Sequence, residues 1–432
     1  MNKKHFITRL FVIFSTITIS ACTQYGRVVN SQVKTNTKEA LETPYVLLIS
    51  LDGFRWDYVE RFNPPHLKNF IKNGVQAESL IPCFPSKTFP NHYSIATGMY
   101  PDKHNIVGNS FYDHNKNAQY SLQNRVTVED GSFYAGTPIW VQAAKSGMVT
   151  ASYFFVGSEA EIQGFRPSTY YNFDGKTTHQ TRVNQILDWL ALPKKTRPHL
   201  LTLYFADMDK TGHIFGPNND EKIQHTLLEL DKTLGALFNG IKQSRLPVNI
   251  VIVSDHGMMN IPVNDFIRFE TIEDNSSYMA IDNGSLINIH PKDISQTNAI
   301  FNTLKKKAKN QHYQVYKTQN TPGFEYVPKN KNWGAIQIIA EKGYYFLKSE
   351  KIKEKKESGN NIFGVHGFDT KNKEMHGIFY ANGPAFKKGL TIPSFKNIHV
   401  YPLLSKILGL DVPSDVDGKI EVLENVLTQI SK

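Results

Sequence analysis

Three apolar runs in this chain each end in an acidic residue. Residues 45–51 run into Asp52, residues 199–205 into Asp207 and Asp209, and residues 248–254 into Asp255 and His256. One aspartate at a strand end is ordinarily a cap or a turn residue, but these have histidines nearby. Asp255 and His256 place a carboxylate and an imidazole on one turn. Asp209 and His213 are four apart, a spacing that brings them to one face if the segment makes a helical turn. His366 stands between Val365 and Gly367, with Asp369 close behind. Three histidines and three aspartates are enough to hold two divalent ions. Mixed nitrogen and oxygen ligands favour zinc over magnesium, which prefers oxygen and water.

A nucleophile candidate lies in the segment Pro85 to Gly98. Pro90 sits near the start of an expected helix running towards Ala96, so Thr88 falls at or just before its N-terminus. Free backbone N–H groups and the helix dipole favour an anion there. A threonine hydroxyl needs a base or a metal to attack at neutral pH. Taken alone, Thr88 reads as a helix N-cap.

The elements that must position these groups are also visible. Short, β-branched, nearly continuous apolar runs suit strands buried on both faces of a parallel sheet. Helical patterns at 181–192 and 221–243 lie between them, giving the alternation of an α/β fold: a mostly parallel central sheet flanked by helices. Ligands gather at the carboxyl ends of such strands, where the aspartates stand. A fourth strand is expected at 377–381 and a helix at 401–408. Between 259 and 361 the texture changes to short strand-like runs (285–289, 335–339, 344–347) among Lys- and Asn-rich segments. This predicts an inserted α+β cap subdomain over 259–361, with the catalytic domain formed by 44–258 and 362–432.

Taken together, the motifs resemble the nucleotide pyrophosphatase/phosphodiesterase family of the alkaline phosphatase superfamily. The resemblance rests on Leu51-Asp52-Gly53, on Lys87 through His92, and on His104 through Asn109. It continues through Gly157-Ser158-Glu159, Asp209 with His213, Asp255-His256-Gly257 and Gly364 through Gly367, then Asn382 through Pro384 and Val400 through Pro402. These occur in family order over about 44–412. The resemblance implies an alkaline-phosphatase-like fold and two Zn2+ per chain. One ion would be held by Asp52, Thr88, Asp255 and His256, the other by Asp209, His213 and His366. Thr88 would be the nucleophile, passing through a covalent nucleotidyl-threonine, and Asn109 would donate to a non-bridging phosphoryl oxygen. Two departures stand out. Asp207-Met208 precedes Asp209 where the family has a Glu-x-Pro run, and Phe155-Val156 precedes Gly157 where tryptophan and proline are common. No ligand role follows for His92 or His104, which read as structural.

Within the superfamily, a sulfatase is disfavoured. Cys83-x-Pro85 mimics the sulfatase signature, but the residue in the nucleophile's frame is Thr88. A phosphomonoesterase needs cations over a dianionic phosphoryl group, and the neighbourhood of Gly157 through Glu161 offers no Lys/Arg pair. The expected reaction is therefore phosphodiester or pyrophosphate hydrolysis in nucleotides. A phospholipid or glycerophosphocholine phosphodiesterase, or a phosphomonoesterase of the same superfamily, is the alternative enzyme, and a catalytically dead surface-binding lipoprotein the non-enzyme alternative. Phe89 is expected to stack on a nucleobase, with Tyr170, Tyr171 or Phe173 on the other side.

The chain carries 49 Lys+Arg against 39 Asp+Glu, a formal charge of +10, yet no nucleic-acid groove is expected. Residues 301–360 alone hold 13 lysines and 5 glutamates, so the excess is concentrated in the proposed insertion. Lys3, Lys4 and Arg9, then an apolar run from Leu10 to Ile19, predict a signal peptide over 1–21. The run Ile19-Ser20-Ala21-Cys22 resembles a bacterial lipobox, so Cys22 is expected to be lipidated. That would place the protein in the cell envelope, on the outer membrane if the host is Gram-negative. Residues 22–43, polar and poor in aromatics, are expected to be a tether. The remaining cysteine, Cys83, can form no internal disulfide.

Overall fold

The computed structural model describes residues 27–29 and 33–428. The expected signal peptide, Cys22 and much of the expected tether lie outside these residues. The Tyr45–Leu51 strand is buried at every position. Val46 and Leu48 face one core, while Leu47, Ile49 and Leu51 face another. A strand whose two faces both sit in apolar cores has no solvent face to mark with polar residues, which is why its sequence is continuously hydrophobic.

The central sheet has nine strands, in the order Arg27–Val29, Thr169–Tyr171, Thr150–Tyr153, Leu200–Phe205, Tyr45–Leu51, Val248–Val253, Phe379–Asn382, Val75–Ala77 and Leu390–Ile392. From Thr169–Tyr171 to Val248–Val253 all neighbours are parallel. The Phe379–Asn382 strand is antiparallel to both neighbours, so the sheet is mixed beyond that point. Register decides function here. Leu51 pairs with Phe205, and Ser50 with Val253, so the three strands end level and deliver the segments after them to one edge.

Two of the central strands were not anticipated. Thr150–Tyr153 and Thr169–Tyr171 carry Thr, Ser and Tyr rather than an aliphatic run, because their polar atoms find partners inside: Ser152 Oγ bonds Ser158 Oγ at 2.7 Å and accepts from Thr202 at 2.8 Å. Part of the expected tether is also bound to the domain. Residues 27–29 add an edge strand, and the Asn36 side chain, 6% exposed, donates to the Lys194 and Arg197 carbonyls and accepts from Val149.

The helix expected over 221–243 spans Asp220–Ser244, with Asn219 capping its N-terminus through Lys222 N–H. Ile223, Leu227, Leu230, Leu234, Leu237 and Ile241 form its buried stripe. The same face also buries Asp231, which accepts the N–H groups of His66 and Leu67 at 3.0 and 2.8 Å. Asp231 thus caps the Pro65–Lys72 helix from a neighbouring element, since Pro64 at the cap position has no side-chain acceptor of its own.

Residues 259–365 leave and rejoin the main body through one antiparallel pair, Met259–Pro262 with Ile362–Val365. Between them a four-stranded antiparallel sheet runs in the order Tyr278–Asp282, Leu286–Pro291, Ile336–Ala340, Tyr313–Lys317. Ile287, Ile289, Ile336, Ile338 and Val315 pack with Ile300 and Leu304 of the Thr297–Lys307 helix into a third core. The lysines at 305–307 fall in the last turn of that helix, where cations complement the dipole.

Replacing Asp231 with alanine leaves two N–H groups of the Pro65–Lys72 helix without acceptors. The expected cost is about 2 kcal/mol of unfolding free energy, read by urea denaturation, with Asp231→Asn recovering part of it.

Candidate active site

Asp52 follows the Tyr45–Leu51 strand directly, and its N–H continues the ladder to Phe205 O. The chain then turns at Gly53, where φ is +65° and an added Cβ would lie 2.7 Å from Asp209 Cα. Only glycine allows this approach, which brings Asp209 N–H onto Asp52 O at 3.0 Å. The segment after Leu200–Phe205 is the Asp207–Phe215 helix, so Asp209 and His213 share one face: His213 Nε2 lies 3.2 Å from Asp209 Oδ1. Asp207 points elsewhere, to His179 Nε2 at 2.9 Å. Asp255 and His256 follow the third strand. Asp255 Oδ1 accepts Gly53 N–H, tying the first and third strand ends together. His366 arrives just after the returning Ile362–Val365 strand and stacks on His256, with ring centroids 3.6 Å apart.

Six side chains thus converge from distant segments. Asp209, His256 and His366 have ligand atoms within 4.8 Å of one another, as do Asp52, His92 and Asp255. His256 Nε2 also lies 3.4 Å from Asp52 Oδ1 and 3.1 Å from Asp255 Oδ2, so it faces both groups.

Hydrogen bonding sorts ligands from supports. A carbonyl cannot donate, so a ring nitrogen bonded to one carries the proton and the other ring nitrogen keeps its lone pair. His213 Nδ1 donates to Gly364 O, His256 Nδ1 to Gly257 O, and His366 Nδ1 to Ser86 O, each at 2.8 Å. All three therefore present Nε2 lone pairs to the site, in the orientation that backbone acceptors impose on metal-binding histidines. His92 differs. Its Nδ1 proton lies between Thr88 O at 3.0 Å and Asp255 Oδ2 at 3.3 Å, and its Nε2 bonds Ser50 Oγ at 2.7 Å. His92 is a brace that ties the first turn of the Thr88–Thr97 helix to Ser50 of the Tyr45–Leu51 strand, beside Asp255. The sequence reading missed this because nothing in the motif separates a brace from a core histidine. His104 bonds Ser94 Oγ and Ile106 N–H and stays away from the site.

The electrostatics call for cations. Asp52 Oδ1, Asp209 Oδ1 and Asp255 Oδ2 are buried with no hydrogen-bond partner among the described residues. Burial, then the charges of Asp255 and Asp209, pushes Asp52 well above the usual carboxylate range, and burial with Asp209 does the same to Asp255. Burial lowers His256 to about 3, and burial with the adjacent His256 lowers His366 well below its ordinary value. Asp209 and His213 offset each other, Asp209 being lowered and His213 raised, but the neutral His256 and His366 leave Asp52 and Asp255 without an offsetting charge. The donor set therefore fits bound divalent cations and leaves the carboxylates strained without them.

Thr88 is the first residue of the Thr88–Thr97 helix, half-buried, with its hydroxyl 3.2 Å from His256 Nε2. Phe89 N–H, among the unpaired donors of that first turn, goes to Asn109 Oδ1 at 2.9 Å, which leaves the Asn109 NH2 group to donate outward. Lys87, at the cap position, is 3% exposed and turns its ammonium away, to Tyr345 OH at 2.7 Å and His366 O at 3.0 Å. Burial pushes it down to about 7. Tyr204, which the sequence reading did not single out, donates to Asp52 Oδ2 at 2.6 Å.

Of the aromatics expected opposite Phe89, only Phe173 reaches this region. It is 44% exposed and packs edge-on against Tyr204 at 6.0 Å, and its N–H is held by Glu159. Tyr171 stacks on Tyr153 at 4.5 Å and bonds Gln185, so it serves the helix-covered core, and Tyr170 is buried on the other side of the same strand. Strand pleating sends these adjacent tyrosines to opposite faces of the sheet. Phe89 itself is half-buried, edge-on to Tyr120 at 6.2 Å.

Residues 46–369 match the model of the type I phosphodiesterase / nucleotide pyrophosphatase family. Ectonucleotide pyrophosphatase/phosphodiesterase family member 1 of mouse is 32% identical over 400 residues, covering 89% of this chain and 43% of its own length. A venom phosphodiesterase from Crotalus durissus collilineatus is 32% identical over 403 residues, covering 91% of this chain and 47% of its own. The chain thus spans less than half the length of these curated relatives. Murine ectonucleotide pyrophosphatase/phosphodiesterase 5 superposes with a TM-score of 0.81 at 29% identity, covering 89% of this chain and 100% of that one. An inactive Thr→Ala variant of the same murine protein, in complex with AMP, superposes equally well. With three quarters of its length matched by the family model and the fold shared along a whole solved relative, the chain belongs to the type I phosphodiesterase / nucleotide pyrophosphatase family.

Proposed function

We propose that the protein hydrolyses phosphodiester and pyrophosphate bonds in nucleotides, releasing nucleoside 5′-monophosphates through a covalent Thr88 intermediate, with two zinc ions as cofactors. The observation that carries this reading is the juxtaposition of three unpartnered buried carboxylate oxygens with a threonine hydroxyl at a helix N-terminus. The AMP bound to the murine relative supports a nucleotide substrate.

Asp52, Asp255 and His256 would hold one ion beside Thr88, and Asp209, His213 and His366 the other. Bound there, the ions would lower the pKa of the Thr88 hydroxyl and neutralise charge on the entering and leaving oxygens. Thr88 Oγ1 attacks phosphorus, forming an O–P bond as the bond to the leaving group breaks. The Asn109 NH2 group donates to a non-bridging oxygen, and the N-terminus of the Thr88–Thr97 helix favours the same negative charge. Water then attacks phosphorus, releasing the 5′-monophosphate and restoring the Thr88 hydroxyl. Tyr204 and His92 hold Asp52 and Asp255 in place. Arg125 and Arg166 lie beside Glu159 and Glu161 and are paired with them, so they do not form a pair of cations free to grip a dianionic monoester. Phe89 and Phe173 offer apolar faces to a base. The chain acts in the cell envelope, attached through a lipidated Cys22.

Thr88→Ala is expected to lower kcat on p-nitrophenyl thymidine 5′-phosphate by at least about 1,000-fold while zinc content by elemental analysis stays at two per chain. The wild type should cleave this diester faster than p-nitrophenyl phosphate, and the reverse order would defeat the diesterase reading. Phe89→Ala and Phe173→Ala should each raise KM for the thymidine substrate by roughly tenfold and leave bis(p-nitrophenyl) phosphate unaffected. Chelation should lower the thermal midpoint by several degrees, since carboxylates that repel one another lose their counter-ions. Restored zinc should recover it; no change on chelation would mean that the carboxylates hold no structural cation.

A further inference from the structure

Among the contacts of the inserted subdomain with the catalytic apparatus is a tight turn, Asp282 through Ser285, between the first two strands of its four-stranded sheet. Gly284 has φ +76°, and an added Cβ would fall 1.8 Å from the Tyr345 ring, so the turn lies flush against that ring. The turn is bonded from several sides. Asn283 N–H goes to Leu286 O, Phe346 N–H to Gly284 O and Ala340 N–H to Ser285 O, each at 2.9 Å. From this rigid base the Asn283 side chain, 6% exposed, reaches into the catalytic domain and grips one peptide backbone at two points. Its Oδ1 accepts Ser110 N–H at 3.1 Å, and its Nδ2 donates to Ser110 O at 2.9 Å.

Ser110 is the residue after Asn109. Asn109 Oδ1 in turn accepts the N–H of Phe89, next to Thr88. Hydrogen bonds joined by the Asn109–Ser110 peptide bond therefore connect the insertion to the first turn of the Thr88–Thr97 helix. We propose that Asn283 is a positioning residue for the reaction: it sets the Ser110 peptide, and so holds the Asn109 amide where its NH2 group meets the phosphoryl oxygen. On this reading the insertion is a brace for the transition state, and Asn283 touches no substrate. The inference rests on the proposed role of Asn109.

Gly108 supplies an independent handle. A Cβ there would lie 2.8 Å from Ser110 O and 2.9 Å from both Asn283 side-chain polar atoms, wedging the clamp open while Asn283 stays in place. Asparagine suits the clamp because one planar amide offers an acceptor and a donor matching a peptide's N–H and C=O. Aspartate keeps only the acceptor.

The test is a double-mutant cycle on the metal-loaded full chain with p-nitrophenyl thymidine 5′-phosphate. Asn283→Ala and Gly108→Ala should each lower kcat by roughly 10- to 100-fold with KM and zinc content unchanged, the loss expected when a donor is misplaced by about 1 Å. Asn283→Asp should fall between. In an Asn109→Ala background, Asn283→Ala should cost less than about twofold, because the residue acts only through Asn109. Hydrogen exchange provides a readout independent of turnover: the Phe89 amide should exchange about tenfold faster in Asn283→Ala than in the wild type. Wild-type kcat in Asn283→Ala, a full additional loss on top of Asn109→Ala, or a Phe89 amide still protected would overturn the proposal. Should the wild type hydrolyse no diester, the proposed reaction fails, and the exchange measurement alone decides whether the insertion holds Asn109.

Discussion

Like-charge repulsion is the constraint around which this molecule is arranged. Asp52, Asp209 and Asp255 come from the segments that follow three strands and meet with Asp52 and Asp255 buried, each of the three with a carboxylate oxygen that has no hydrogen-bond partner among the described residues. Left alone, such a cluster would drive the strand ends apart or take up protons. The fold holds it together through contacts that leave the inward-facing oxygens free. Gly53 lets the backbones of Asp52 and Asp209 touch, Gly53 N–H takes the far oxygen of Asp255, and Tyr204 takes the far oxygen of Asp52. Three histidines are turned by backbone carbonyls so that their lone pairs face the same space. The donors to Asp52 and Asp255 and the carbonyls behind the histidines sit on the outer sides of these groups, which leaves the inner space suited to cations.

The same logic accounts for the neighbours of Thr88. The first turn of its helix has donors to spare. One goes to Asn109, and His92 pins the Thr88 carbonyl to the carboxylate cluster. Thr88 is therefore fixed relative to the cluster by side chains rather than by strand register alone. Lys87 contributes by facing the other way, using its buried ammonium to hold the His366 backbone and the Tyr345 hydroxyl.

Much of this was legible in the amino-acid sequence, for physical reasons that differ from residue to residue. Strands buried on both faces announce themselves as unbroken aliphatic runs, so the ends carrying Asp52, Asp209 and Asp255 could be located before any coordinates. The four-residue spacing of Asp209 and His213 needed only a helical turn to become a contact, and the Asp207–Phe215 helix supplies it. Tyr204 and His92 were not legible, because each lies inside an element whose residues are buried anyway and its partner is far away in the chain. The directions of Tyr170 and Tyr171 were not legible, because composition shows aromatics but not the pleat that aims them. Thr150–Tyr153 hid because its polar residues are satisfied internally, which erases the hydrophobic signature of a central strand.

The Phe379–Asn382 strand separates Val248–Val253 from Val75–Ala77. In a chain made from its N-terminus, the five parallel strands can assemble once residue 253 has emerged. The aliphatic Val248–Val253 strand must then wait, with one side unpaired, until more than a hundred further residues have followed. Val75–Ala77, made long before, has no place in the sheet until the same moment. A half-made molecule thus presents a flat, apolar sheet edge, the kind of surface that recruits strands from other chains. Synthesis of this protein is accordingly a problem of shielding that edge, and the Phe379–Asn382 strand is what finally closes it.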